Sequence, residues 1–146
     1  MNKLKLTSAV LYLLVAVMTA GMGITFITAA EYFPYHQQAS GIDWSQVQPG
    51  LQLVFLAVFK VCGGGVITLS LSMFLMIIFP FIKYDHRWSF YAIPICGVVF
   101  WSITLATTLY VYSATNAATP WIPSLSSLVA TILAFIISLF CMEKAV

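Results

Sequence analysis

In a chain of 146 residues, 62% are hydrophobic, only 7% are charged, the mean hydropathy is +1.01 and the formal net charge is +2. Too few polar side chains remain to cover a water-soluble globule, so composition points to an integral membrane protein. Short alternating segments of the porin type are absent, which excludes a β-barrel and leaves an all-α membrane bundle in a single domain spanning 1–146.

Four apolar runs, at about 6–30, 51–82, 88–112 and 122–141, each approach the ~20 residues a helix needs to cross a bilayer. The first opens with Lys3 and Lys5 and ends on "TAA", a pattern shared with secretory signals. Its apolar core is long for a signal, so an uncleaved span is expected. Ala16, Ala20, Gly23 and Ile27 fall on one face of it, with Glu31 close to the same arc.

The connection "EYFPYHQQASGIDWSQVQPG" is the most chemically varied segment. Pro34 should end the first helix or open a turn, and Asp43 with Gln46 has capping-box spacing for a short helix over 44–48. Ile42, Trp44 and Val47 would then rest at the interface and turn the loop into a lid. His36, with Glu31 and Asp43 nearby in sequence, invites a catalytic or metal reading, yet these residues lack a diagnostic ligand spacing. No metal and no cofactor are expected.

The second run contains "AVFKVCGGGVITL", a lysine and three consecutive glycines within an apolar helix. Each glycine costs roughly 1 kcal/mol against alanine in a soluble helix, so a compensating role is required. At 100° per residue, Ala57, Lys60, Gly64, Thr68 and Leu71 share one arc, with Ser72 at its edge. Small residues at i, i+4 and i+8 predict a docking groove for a neighbouring helix. Lys5 to Glu31 spans about 39 Å of helix and Lys60 to Lys83 about 35 Å, which levels the opposite charges of Glu31 and Lys60. The expectation is an ion pair between them, with Lys60 beneath the lid; a lysine snorkelling on its own stem is the alternative.

In the turn "IKYDHRW", Asp85 is expected to cap the third helix, and Pro94 to bend it. Trp101 would lie near mid-membrane and needs an acceptor for its indole N–H. Thr104 and Thr108 could line a cavity with Thr68, or return their hydroxyls to their own backbone. Thr119 and Pro120, or Pro123, suit the start of the fourth helix. Cys62, Cys96 and Cys141 occur singly, form no CxxC motif and read as packing residues. His86 lies on the other side of the membrane from His36, against a haem held between the two.

Lys3, Lys5, Lys83, Arg87 and Lys144 flank the same side of the four spans, so the positive-inside rule places both termini in the cytoplasm. The segments 31–50 and 113–121 then face outward. Tyr32, Tyr35, Trp44, Tyr110, Tyr112 and Trp121 would mark the outer interface.

The series "FPYH", Gly41, Trp44, "PGLQL", a basic residue before "GGG", "FPF" and "HRW" resembles small four-span bacterial inner-membrane proteins of uncharacterised function. That resemblance, carried by about 30–90, implies a multi-pass protein of the bacterial inner (plasma) membrane and a single site combining the outer loop with Lys60. The candidate ligand-binding residues are Glu31, Tyr35, His36, Asp43, Lys60 and Gly64.

Two function classes follow. A lipid- or protein-binding accessory role would engage membrane lipids, another membrane protein or a second copy, with no nucleic-acid partner. An enzyme acting on a lipophile at the outer leaflet would instead need His36 within reach of Lys60. A small transporter or oligomeric channel is a third, weaker reading.

Overall fold

The computed structural model describes residues 3–143. Lys144, the last of the basic residues used for orientation, lies outside them. Five α-helices are present and, among the described residues, no strand: α1 (Lys3–Thr28), α2 (Pro34–Ser40), α3 (Pro49–Met76), α4 (Ser89–Thr115) and α5 (Trp121–Glu143). Four of these helices are long and apolar enough to cross a membrane, α3 together with the helical turn that extends it to Lys83. Side chains such as Val61, 77% exposed, and Leu53, 73% exposed, coat the outside of the bundle. An apolar exterior over a tightly packed interior is the arrangement expected of a chain solvated by lipid.

Local chemistry sets the element ends. Pro34 and Pro49 occupy first-turn positions, where a missing N–H costs nothing. Gly41 closes α2 in the left-handed conformation, φ 68°, and its N–H donates to the Gln37 carbonyl at 2.8 Å. Asn116 ends α4 in the same way, φ 56°, with its N–H on Tyr112 O. The capping-box expectation for Asp43 and Gln46 is met by a single 3-10 turn over Trp44–Gln46, in which the Asp43 N–H donates to Gln46 Oε1 at 3.3 Å.

Pro80 interrupts the helical ladder, since it offers no N–H to a preceding carbonyl. The helix responds by loosening into a π-helical turn over Ile77–Lys83, and the Tyr84 N–H reaches back five residues to Phe79 O at 2.9 Å. Asp85 follows at φ 56°. It does not cap α4, as expected from sequence; its carboxylate takes the Lys5 ammonium at 2.8 Å and ties the start of α1 to this turn. Position 88 rather than 85 precedes α4, and the Ser89 hydroxyl donates to His86 O at 2.6 Å. Pro94 is accommodated inside α4 and buried.

Packing is ordered α3, α1, α5, α4 around the bundle. At the α1–α3 contact, Gly23 and Gly63 meet backbone to backbone. A Cβ added at Gly63 would lie 2.7 Å from the Gly23 carbonyl oxygen, and one at Gly23 would lie 3.0 Å from the Gly63 oxygen. Two turns along, the Ser70 hydroxyl donates to Ala16 O at 2.8 Å across the same interface. On the other side of α1, the Ser8 hydroxyl donates to Ala134 O of α5 at 2.7 Å. Ser124, Ser127, Thr131, Ala134 and Ser138 form a buried small-residue seam along α5, and Gly97 of α4 approaches it so closely that a Cβ there would sit 2.8 Å from Thr131. Such seams let helices associate by dispersion and hydrogen bonding where no water is available to be expelled.

The sequence phased α1 correctly, since Ala16 and Gly23 are buried against α3, but phased α3 one residue late. The buried face of α3 runs through Phe59, Gly63, Ser70 and Met73, while Ala57, Lys60, Thr68, Leu71 and Ser72 are exposed. Gly64 has open space where its Cβ would stand.

Candidate functional site: a cleft between α3 and α4

The bundle is closed on three of its four seams and open on the fourth. Near the π-turn end, α3 and α4 touch where Met73 comes to 3.7 Å from the Cβ position of Gly97. Towards the end that carries α2 they part, and the space between them is a cavity of about 850 Å3. This is within the ~300–1,000 Å3 range of small-molecule sites. Cys62, Gly65, Val66 and Leu69 form the α3 wall, and Phe100, Ile103, Thr104 and Thr107 belong to the opposite wall. Met18, Met22 and Phe26 of α1 form the back. Phe33 and Tyr35 of the α2 region, with Pro120 from the α4–α5 connection, close the end.

Two hydrogen bonds hold that roof. Gln38 Oε1 accepts the Ala118 N–H at 2.9 Å and bridges α2 to the α4–α5 connection, while the Thr119 hydroxyl donates to Thr108 O at 2.9 Å and folds the connection onto α4. Aromatic contacts seat α2 on the bundle: Phe33 stacks on Phe59 with centroids 5.2 Å apart, and Phe26 meets both rings edge-on. Tyr32 packs edge-on against Trp44 at 4.9 Å, and its hydroxyl donates to Ile42 O. The lid expected from Ile42, Trp44 and Val47 is not what closes the cleft: none of the three borders it, nor does Lys60, and the roof is made instead by Phe33, Tyr35 and the α4–α5 connection.

Of the six residues nominated from sequence, Tyr35 alone borders the cavity. Its phenol is half-buried, and burial pushes its pKa above the ordinary phenolic value. His36 is packed between Tyr35 and Phe59, and its Nδ1 accepts the Phe33 N–H at 3.2 Å at the start of α2. Desolvation holds its pKa below the usual imidazole value, consistent with a neutral ring acting as an acceptor. Asp43 accepts a hydrogen bond from the Gln37 amide on the exposed side of the loop.

The Glu31–Lys60 ion pair is not formed. Both residues are exposed, and the ion pair found among the described residues is Lys5–Asp85. The reason is the phase of α3. Gly63, not Gly64, meets α1, so Lys60 is turned with Gly64 away from that interface, although it does lie near the level where α1 ends, one residue from the Phe59–Phe26 contact. Thr68 is likewise exposed, with its hydroxyl on Gly64 O, and takes no part in the cavity that Trp101, Thr104 and Thr108 do border. Cys62, read from sequence as packing, stands exposed on the cavity wall.

The hydroxyls of the wall are committed. Thr104 donates to Phe100 O, Thr107 to Ile103 O, Thr108 to Thr104 O and Leu105 O, and Thr25 to Gly21 O. Each oxygen retains lone pairs for a visiting donor. Trp101, 3% exposed, found no acceptor for its indole N–H. The readable signal for the cleft was the Thr104–Thr107–Thr108 cluster; the contribution of Gly65 was hidden by its neighbours.

No protein-family model matches the chain, and no curated protein or solved structure matches it.

Proposed function

We propose that this chain is a multi-pass membrane protein that holds a lipophilic small molecule in the roofed cleft between α3 and α4. The carrying observation is the 850 Å3 cavity itself. It opens in a bundle whose other seams are packed until a single added methyl would collide with backbone or side chain, as at Gly23, Gly63 and Gly97. A void lined by apolar side chains is poorly solvated by water and is readily filled by an apolar guest. A gap arising merely from loose packing would need no roof tied across two connections by Gln38 and Thr119.

We place Lys5, Lys83 and Arg87 at the cytoplasmic face and the roofed end outward, in the inner membrane of a bacterium. The Lys5–Asp85 pair supports this by bringing the first two basic clusters to one end of the bundle. In that frame Lys60, near the outer end of α1, reaches the headgroups on its own stem. The enzyme reading has no comparable support, because His36 serves as an acceptor within α2 and shares no hydrogen bond with Lys60. An accessory role towards another membrane protein retains the exposed face around Lys60 and Gly64 as its surface.

Native mass spectrometry of the protein extracted gently from its own membrane tests the proposal. One lipophile bound per chain and surviving mild activation is expected; release of only a heterogeneous, weakly held phospholipid envelope would refute it.

A further inference from the structure

The cleft is polar at one end only. Its threonines gather beneath the roof: Thr108, whose carbonyl takes the Thr119 hydroxyl of the α4–α5 connection, Thr107 beside it, and Thr25 in the last turn of α1, next to the Phe26 ring that meets Phe33. Thr104 lies one turn further in. Beyond it the wall passes to Met18, Leu69 and Phe100, and along α1 the step from Thr25 down to Met18 is about 10 Å. Thr25 and Thr107 are exposed and Thr104 and Thr108 half-buried, so the group is open to contact. Each of the four hydroxyls gives its proton to a carbonyl of its own helix, and what it can offer a guest is therefore a lone pair.

Charge is missing from both ends. Among the described residues, none that lines the cleft is charged. Lys60 is two residues from Cys62 of the cavity wall, a rotation of about 200°, and so leaves α3 on nearly the opposite side. Lys5 and Lys83 belong to the π-turn end, and neither Glu31 nor Asp43 borders the cavity. An ionised guest would give up its water for no opposite charge, and the roof tied down by Gln38 and Thr119 keeps its head from the aqueous side. Fatty-acid and phospholipid headgroups fail on this ground. A plain hydrocarbon is tolerated but makes no use of the threonine oxygens.

We infer that the occupant is an uncharged amphiphile whose polar end is a hydroxyl, a lipophilic alcohol or phenol, seated with that hydroxyl beneath the roof and donating to the threonine oxygens there. Its apolar body extends towards Met18 and Phe100. This rests on the lipophile-binding reading and narrows it.

Four probes on one pyrene skeleton test this in detergent-solubilised full-length protein at pH 8, with empty micelles as the blank: pyrenebutanol, its methyl ether, butylpyrene and pyrenebutyrate. Among them the alcohol alone can donate a hydrogen bond, and the carboxylate alone is ionised. Wild type should hold pyrenebutanol about 3- to 10-fold more tightly than the ether or the hydrocarbon, the worth of one hydrogen bond, and pyrenebutyrate about 10-fold or more weakly than pyrenebutanol. Thr107→Val combined with Thr108→Val should shrink the advantage of the alcohol and leave butylpyrene unchanged; an undiminished advantage overturns the seat beneath the roof. Should that variant fail to fold, the wild-type comparison decides alone. An ether bound as tightly as the alcohol overturns the hydroxyl, and a carboxylate bound as tightly overturns the exclusion of charge, while in both cases the lipophile reading stands. If wild type binds none of the four, both fall.

Discussion

The α1–α3 crossing and the α3–α4 cleft share one helix and three adjacent glycines, yet they use them in opposite ways. Gly63 is the point of closest backbone approach, where a Cβ would meet Gly23 O at 2.7 Å and the Ile27 nitrogen at 2.9 Å. Gly65, two residues on, borders the cavity and has nothing within 4 Å of its Cβ position. Gly64, between them, also meets nothing, and it does not border that cavity. Successive residues of a helix are turned by 100°, so three consecutive glycines point at a neighbour, at open surroundings and at a void. The lesson is that glycine's missing side chain has different value in each direction: contact in the first, nothing visible in the second, volume in the third.

The largest expected effect attacks the crossing. Gly63→Leu should destabilise the bundle by about 3 kcal/mol or more, read as a fall in melting temperature in detergent, because the obstacle is backbone and not a flexible side-chain end. A near-neutral result would dissolve the contrast between the two regions. Ser70→Ala, which removes the hydrogen bond to Ala16 O, should cost about 0.6 kcal/mol in the same assay.

Acid should act on the roof and spare the crossing. In the fold the His36 pKa lies below its unfolded value, so the unfolded loop binds more protons in between; the stabilisation is complete above the unfolded value and is lost as pH falls through the folded one. Protonation also removes Nδ1 as acceptor for the Phe33 N–H. Between about pH 8 and about pH 5, amide protection in α2, taken relative to the intrinsic exchange rate at each pH, should fall while that around Gly23 and Gly63 stays constant. His36→Phe should abolish the pH dependence. No loss is expected at Gly64→Ala, which should be neutral or stabilising by up to about 1 kcal/mol through helix propensity alone.

Much of the architecture was legible because length and hydropathy report directly on membrane-spanning helices. The four runs read from sequence lie within a few residues of the helices found. Capping chemistry was legible for the same local reason at Asp43 and Gln46. The rotational phase of α3 was not, since a helix that is apolar on every side gives no polar face to orient it, and the lysine that was used for that purpose is exposed. Choosing Gly64 over Gly63 then carried Lys60 with it and created the ion pair with Glu31 that the structure lacks. The Lys5–Asp85 contact joins residues 80 positions apart and had no local signature, whereas Pro80 did mark a break in the helical ladder without saying that a π-helical turn would follow. The α5 seam of Ser124, Ser127, Thr131, Ala134 and Ser138 did have one, a spacing of three and four residues, hidden among many other small and hydroxyl-bearing positions.

The most direct test of the account places the same large side chain at two neighbouring glycines. Both Gly64→Phe and Gly65→Phe have space for the new Cβ, but only Gly65 borders the cavity. Native mass spectra of the two variants should show the bound lipophile retained by Gly64→Phe and lost from Gly65→Phe, with melting temperatures close to wild type in both. Equal occupancy in the two variants would contradict a ligand site between α3 and α4.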